Sequence, residues 1–265
     1  MSEKNNLIEI RNLKKSFDDN ESNILTDINL DIKKGEFHIL LGPSGCGKST
    51  LLNIIAGFLK KSSGSITVAG HSVKAPGKDR GVVFQNADTA IYPWLTVLEN
   101  VEYGLKINKV PKAERRERAL AYIDMVGLSD HVNKRPCELS GGMKQRTQIA
   151  RVLANDPEVL IMDEPFGALD AQTRRTMQGE LIRIWKETGK TIIFVTHDIQ
   201  EAILLGTDIS IFSKSPDAKI IKNYKVDLAY PRHETDSEFI DYFQTINQHF
   251  AEEEEHEQVD HKIAI

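Results

Sequence analysis

A chain of 265 residues with 40% apolar content is long enough for one large globular domain with a sizeable core, which excludes a disordered or fibrous protein. The 34 Lys and Arg against 39 Asp and Glu leave a formal charge of −5 with no strongly basic block, which argues against holding nucleic acid through its phosphates. The richest apolar runs, 37–41 and 191–195, fall far short of the roughly 20 residues of a spanning helix, and the polar start at 1–6 offers no export signal, so a cytoplasmic protein is expected.

Short apolar runs alternate with amphipathic helical patterns, the signature of a largely parallel sheet flanked by helices. Residues 7–13 and 37–41 read as strands. Residues 48–59 place Leu51, Ile54, Ile55 and Phe58 on one helical stripe, so that a strand, a Gly-rich turn and a helix follow in direct succession. Further strands are predicted at 66–68 and 81–84, each bounded by Gly. From about 86 to 155 strand patterns disappear. Within that region 112–126 begins after Pro111 and stops at Gly127, the asymmetry expected of a helix, and the whole reads as an inserted helical subdomain. Strand runs return at 159–162, 191–196 and 209–212, and the helix between the first two directs Met177, Leu181, Ile184 and Trp185 inward. Beyond Pro231 an amphipathic stretch through Phe239, Tyr242, Phe243, Ile246 and Phe250 leads into Glu252–Glu255, Glu257 and Asp260. The last dozen residues read as a solvated acidic tail. No repeat of solenoid period is evident.

Gly42-Pro43-Ser44-Gly45-Cys46-Gly47-Lys48-Ser49 fits G-x-x-x-x-G-K-[ST] between a strand and a helix. Its glycines let successive N–H groups turn inward around a polyphosphate and the helix N-terminus adds positive potential, while Lys48 reaches the β and γ phosphates and Ser49 ligates Mg2+. The residues expected to touch nucleotide here run from Gly42 through Thr50. Cys46 contributes its backbone, and with Cys137 it reads as a reduced thiol, two being too few for a disulfide framework or a zinc site. The run 159–162 ends in Asp163 and Glu164. Asp163 is expected to hold Mg2+ through water, and Glu164, pointing to the other side of the chain, to polarise an attacking water. A guanine reader is missing, because both Asn-Lys pairs, at 108–109 and 133–134, lack the following acid. Leu139-Ser140-Gly141-Gly142-Met143-Lys144-Gln145-Arg146 opens a helix and makes Ser140, Gly141 and Gly142 a second anion site.

With these motifs the sequence resembles the nucleotide-binding subunits of ATP-binding cassette (ABC) transporters, over about 7–250. The resemblance implies an α/β fold: a RecA-like P-loop core at 1–86 and 156–230, an inserted α-helical subdomain at 87–155, an N-terminal antiparallel β portion, and a C-terminal helical extension with the acidic tail at 231–265. It implies ATP and Mg2+ as cofactors. It also implies a head-to-tail pair of copies in which Ser140 and Gly142 of one touch the γ-phosphate held by Lys48 of the other. By the same matching Phe17 stacks on adenine, Gln85 senses Mg2+ and water, Asp170 works between subunits, and His197 faces the γ-phosphate. Phe17 as a core aromatic and Gln85 or His197 as plain strand-end residues are the structural alternatives.

Tyr92-Pro93-Trp94-Leu95-Thr96-Val97, Asp79-Arg80-Gly81-Val82-Val83-Phe84-Gln85 and the segment from Glu164 to Arg174 are similar to the importer branch serving nitrate, taurine, aliphatic sulfonates and thiamine-precursor pyrimidines. Two departures stand near the expected partner-facing surface: Ile91-Tyr92 where paired leucines are usual, and Cys137 where His is frequent. The resemblance places the chain on the cytoplasmic face of the membrane, with permease subunits and, through the complex, an extracytoplasmic substrate-binding protein as partners and no direct nucleic-acid contact. Ile91, Tyr92, Trp94, Leu95 and Val97 form an apolar cluster that serves either as core or as a groove for a short permease helix. The competing reading is a soluble ABC-type ATPase acting on nucleic acid or ribosomes. Such proteins generally carry a second cassette, a long coiled coil or a basic surface, none of which the sequence shows.

Overall fold

A computed structural model describes residues 6–17 and 23–263, with side chains through Phe250. The chain opens with β1 (Asn6–Lys15) and β2 (Leu25–Lys33), paired antiparallel with Ile10 opposite Leu30. In β2, Leu25, Ile28, Leu30 and Ile32 are buried while Asp27, Asn29, Asp31 and Lys33 face water, the pattern of a sheet with one wet face. Next come β3 (Phe37–Leu41), buried throughout, and α1 (Lys48–Ala56), then β4 (Ser63–Val68) and β5 (His71–Ser72). Together β2-β1-β4-β5 form a four-stranded antiparallel sheet.

After β6 (Arg80–Val83) the chain is helical: α2 (Ala87–Ala90), α3 (Val97–Ile107), α4 (Lys112–Met125), two short 3-10 turns, and α5 (Gly141–Leu153). Then follow β7 (Val159–Asp163), α6 (Ala171–Thr188), β8 (Thr191–Thr196), α7 (Ile199–Leu205), β9 (Asp208–Phe212), β10 (Ile220–Lys225) and α8 (Ser237–Ile263). The second sheet has the order β10-β9-β3-β8-β7-β6, parallel except for β10 against β9.

The period-two alternation of its strands divides the apolar core. Phe37, Ile39, Leu41, Ile192 and Phe194 face α3–α8, whereas Leu40, Ile193, Val195, Val159 and Ile161 face α1 and the antiparallel sheet. With β3, β8 and β7 adjacent and parallel, the loops leaving their C-terminal ends (42–47, 197–198 and 163–164) converge on one edge, where open α/β sheets bind ligands.

One expectation changes. Phe58 does not join the buried stripe of α1: the helix ends at Ala56, Gly57 turns left-handed (φ 84°), and Phe58 is 52% exposed, its ring 6.4 Å from that of Phe84. Glycine is required at 57, since a Cβ there stands 2.4 Å from the Ala75 carbonyl. Trp185 does turn inward, packing edge-on against Phe37 at 5.8 Å while staying half-buried, and its Nε1 donates to Gly35 O at 3.0 Å. The expected C-terminal helical extension is α8, whose backbone stays helical through Ile263 and so includes the acidic segment. Phe239 and Ile246 anchor that helix in the core, with Tyr242, Phe243 and Phe250 packed alongside.

Candidate active site

The phosphate-loop motif lies between β3 and α1. Gly45 and Gly47 have φ of 81° and 97°, and a Cβ on Gly47 stands 2.8 Å from Leu25 Cδ2, so position 47 needs glycine twice over. Lys48 is buried, and its ammonium donates to Gly42 O at 2.7 Å and Pro43 O at 2.6 Å, which holds the cation inside the loop. The Cys46 thiol lies 3.6 Å from Lys48 Nζ, and burial pushes its pKa up, which keeps it protonated and unreactive.

Ser49, one residue further along α1, donates its hydroxyl to Asp163 Oδ1 at 3.0 Å. Burial holds the Asp163 carboxyl above the ordinary range, the Ser49 hydrogen bond works against this, and the charge of Glu164 adds to it. Hydroxyl and carboxylate oxygens beside a second acid form a hard-oxygen donor set of the kind Mg2+ takes, so the residues fit that ion. Glu164 has a left-handed backbone (φ 42°), a conformation costing about 1–2 kcal/mol for a residue with a Cβ. Its N–H donates to Val195 O at 3.2 Å, and its Oε1 lies 3.1 Å from His197 Nδ1. A carboxylate only accepts, so Nδ1 carries the proton in this pair. A Cβ built on Gly167 stands 3.3 Å from Gln85 Nε2 and 3.9 Å from Glu164 Oε2, which places Gln85 beside the same carboxylate.

One edge of the sheet thus gathers Lys48, Ser49, Asp163, Glu164, His197 and Gln85. Ser140, Gly141 and Gly142 lie elsewhere. Ser140 caps α5, its Oγ accepting from Met143 N at 3.3 Å, and a Cβ on Gly142 meets Thr173 Cγ2 at 2.8 Å. A cavity of about 340 Å³ is lined there by Ser140, Gly142, Arg146, Thr173 and others, none from 42–50. Among the described residues no hydrogen bond joins the helix starts at Gly47 and Ser140. Asp170 caps α6, accepting from Gln172 N, Thr173 N and Thr173 Oγ1 at 3.1, 3.0 and 2.6 Å, and the Thr173 bonds hold its pKa down. This capping task escapes sequence reasoning, although Asp before a helical stretch signals it.

Phe17 is 60% exposed, with Lys15 Nζ 4.7 Å from its ring centroid, which excludes a core aromatic. The 91–97 cluster divides: Ile91 and Val97 are buried, whereas Trp94 is 66% exposed. Tyr92 packs on Tyr103 at 4.5 Å and lines a cavity of about 320 Å³ with Ile107, Arg80 and Arg151. The cavity lies where the helical insertion meets the end of the sheet.

The family model for ABC transporters matches residues 25–167. An uncharacterised ABC transporter ATP-binding protein of Methanocaldococcus jannaschii is 47% identical over 237 residues, covering 89% of this chain and 88% of that protein. The taurine import ATP-binding protein TauB of Roseobacter denitrificans is 48% identical over 205 residues, 77% of this chain and 75% of its own. Among solved structures, a Clostridium perfringens cassette described as part of the cbiONQ ABC transporter complex aligns with a TM-score of 0.77 at 30% identity, covering 83% of this chain and 89% of that one. A dimeric ATP-binding cassette in a post-hydrolysis state with ADP and Pi aligns with a TM-score of 0.70 at 35% identity, covering 84% and 100%. With the phosphate loop, the paired acids and the histidine all at one sheet edge, this chain belongs to the ABC transporter family as an ATP-binding, ATP-hydrolysing protein.

Proposed function

We propose that the chain energises uptake of a small solute as the ATPase subunit of an importer, the cargo belonging to the nitrate, taurine and alkanesulfonate class. Likeness to TauB proteins supports the cargo class and favours the importer reading over the nucleic-acid alternative. In this reading 1–230 is the ATP-binding unit, with the insertion at 87–155, and 231–265 is an extension.

The observation that carries the mechanism is the Glu164–His197 pair, 3.1 Å apart, beside the Lys48 loop. Glu164 accepts the proton of the attacking water, and His197, fixed by the same carboxylate, turns its other ring nitrogen to the γ-phosphate. Lys48 and the loop amides stabilise charge on the transferring phosphoryl group, so that hydrolysis depends on position and electrostatics. Ser49 and Asp163, with Gln85, would hold Mg2+, which when bound neutralises charge on the phosphates. Phe17 stacks on adenine.

Because Ser140 and Gly142 lie apart from their own chain's phosphate loop, each pocket is completed by the same residues of a second copy packed head to tail. Asp170 works at that junction; what supports this is that it holds Thr173, whose methyl lies 2.8 Å from a Cβ built on Gly142. Tyr92 and Trp94 beside the insertion cavity supply the docking groove for a permease helix. The subunit sits peripherally on the cytoplasmic face, held there through the permease; among the described residues no helix is long and apolar enough to cross a membrane by itself. A substrate-binding protein joins through the complex.

A mixing experiment tests the composite pocket. Lys48→Ala chains and Gly141→Asp chains should each be inactive alone, since Gly141→Asp sets a carboxylate against the partner's γ-phosphate at an exposed position with room for a Cβ. Mixed, they should recover turnover, because each mixed pair holds one intact pocket; no recovery, with mixed dimers present, contradicts the arrangement. Reconstitution with permease and binding protein, scored for ATPase stimulation by taurine, nitrate or alkanesulfonates, tests the cargo class. Stimulation by none of them excludes it. A truncation before Glu252 should retain hydrolysis, since the anchors Phe239 and Ile246 precede the cut. Loss of turnover in a folded truncate would give the segment a direct part in the reaction.

A further inference from the structure

Behind His197 lies a buried carboxylate that the scheme above leaves without a task. Glu201, in the first turn of α7, is 8% exposed. Its Oε2 accepts from Thr196 Oγ1 at 2.6 Å and its Oε1 from Gln178 Nε2 at 2.9 Å. The Thr196 hydroxyl also accepts from Asp198 N at 3.1 Å, and Asp198 Oδ1 accepts from Glu201 N at 3.2 Å. Thr196, Asp198 and Glu201 therefore close a ring of three hydrogen bonds around the peptide of His197. Gln178 ties that ring to α6, the helix capped by Asp170.

A helix start favours an acid in its first turn, but an exposed side chain supplies that benefit equally well. Burying a carboxylate is costly unless its oxygens are satisfied, and here burial pushes the Glu201 pKa up while the Thr196 and Gln178 bonds oppose it. An apolar residue would fill the same space without that cost, so the acid is explained by what it holds.

We propose that Glu201 is a positioning residue for hydrolysis: through Thr196 it fixes the turn that presents His197 Nδ1 to Glu164, and through Gln178 it fastens that turn to α6. The inference rests on the reading of Glu164 and His197 as the hydrolytic pair. Misplacement of a group near the reacting atoms lowers turnover without weakening ground-state binding.

The test uses the full-length chain and steady-state ATPase kinetics. Glu201→Ala and Thr196→Val, the second retaining the packing volume, should each lower kcat roughly tenfold to a hundredfold and leave the KM for ATP nearly unchanged. Glu201→Gln, which keeps the shape and two hydrogen-bonding groups, should recover most of the rate. In a His197→Ala background, Glu201→Ala should change kcat by no more than about twofold, because its effect passes through the missing imidazole. Effects that multiply in both backgrounds, or a fall in kcat that follows a lower Tm and weaker ATP binding, would assign Glu201 to general stability. A His197→Ala chain that loses its rate while Thr196→Val and Glu201→Ala keep theirs overturns this inference alone. Wild-type turnover in His197→Ala overturns the underlying reading, and this inference with it.

Discussion

Glu164→Gln should lower ATP turnover by about 10²–10⁴-fold, the contribution typical of a positioned general base, while nucleotide still binds. The substitution keeps the volume of the side chain and leaves the left-handed backbone at 164 undisturbed. A glutamine Oε1 still accepts from His197 Nδ1, so the imidazole stays where the 3.1 Å contact holds it. What is lost is the capacity to take a proton from water. With the nucleotide bound and uncleaved, the head-to-tail pair has no means of reopening, and size-exclusion chromatography with Mg·ATP should show a persistent dimer. Single-turnover hydrolysis within twofold of wild type would remove Glu164 from its role. Glu164→Ala is a poorer experiment, since it also strips His197 of its partner.

Lys48→Ala should weaken ATP binding by roughly 10–100-fold, the value of a charge-assisted hydrogen bond, and abolish turnover as well. The side chain is buried, and its ammonium is the donor to two carbonyls of its own loop, Gly42 O and Pro43 O. Truncation therefore acts twice: it removes the cation that meets the β and γ phosphates, and it leaves those two carbonyls without that donor. The second effect falls mainly on the buried Gly42 O, since the half-buried Pro43 O still accepts from Cys46 N at 3.4 Å; at about 1–3 kcal/mol for the buried group it should show as a lower Tm of the free protein. Lys48→Arg should not rescue, because a planar guanidinium does not fit a hole closed by backbone at 2.6–2.7 Å. An ATP titration unchanged in Lys48→Ala would contradict the assignment of this loop as the phosphate site.

The sequence is most legible where burial is complete. Strands β3 and β8 are buried throughout and apolar over most of their length, and they stop where a polar loop begins, so their bounds agree with the predicted 37–41 and 191–196. Strand β2 is not predicted because Asp27, Asn29 and Asp31 break its apolar run, although their alternation with Ile28, Leu30 and Ile32 is the signal of a one-sided sheet. The polar edge strand β10, Ile-Ile-Lys-Asn-Tyr-Lys, and the seven-residue α7 carry too little periodicity to stand out. Contiguous motifs name the phosphate loop and the acids, because backbone geometry there depends on adjacent residues. The ring behind His197 joins β8, α7 and α6, and no local pattern marks Glu201 as buried. Phe58 fails for the opposite reason: its spacing is right for a stripe, but the left-handed Gly57 ends the helix first.

The continuous α8 also governs how any truncate will behave in the tube. Residues 251–265 carry six acids against the single Lys262, which is the whole formal excess of five negative charges on the chain. Everything before Ala251 is electroneutral overall. Thirteen helical residues past Phe250 span about 20 Å, so the extension amounts to a charged rod on a body whose charges balance. Removing it should leave the fold intact yet abolish the electrostatic repulsion that keeps copies dispersed near neutral pH, so the shortened protein is expected to self-associate at concentrations the full chain tolerates.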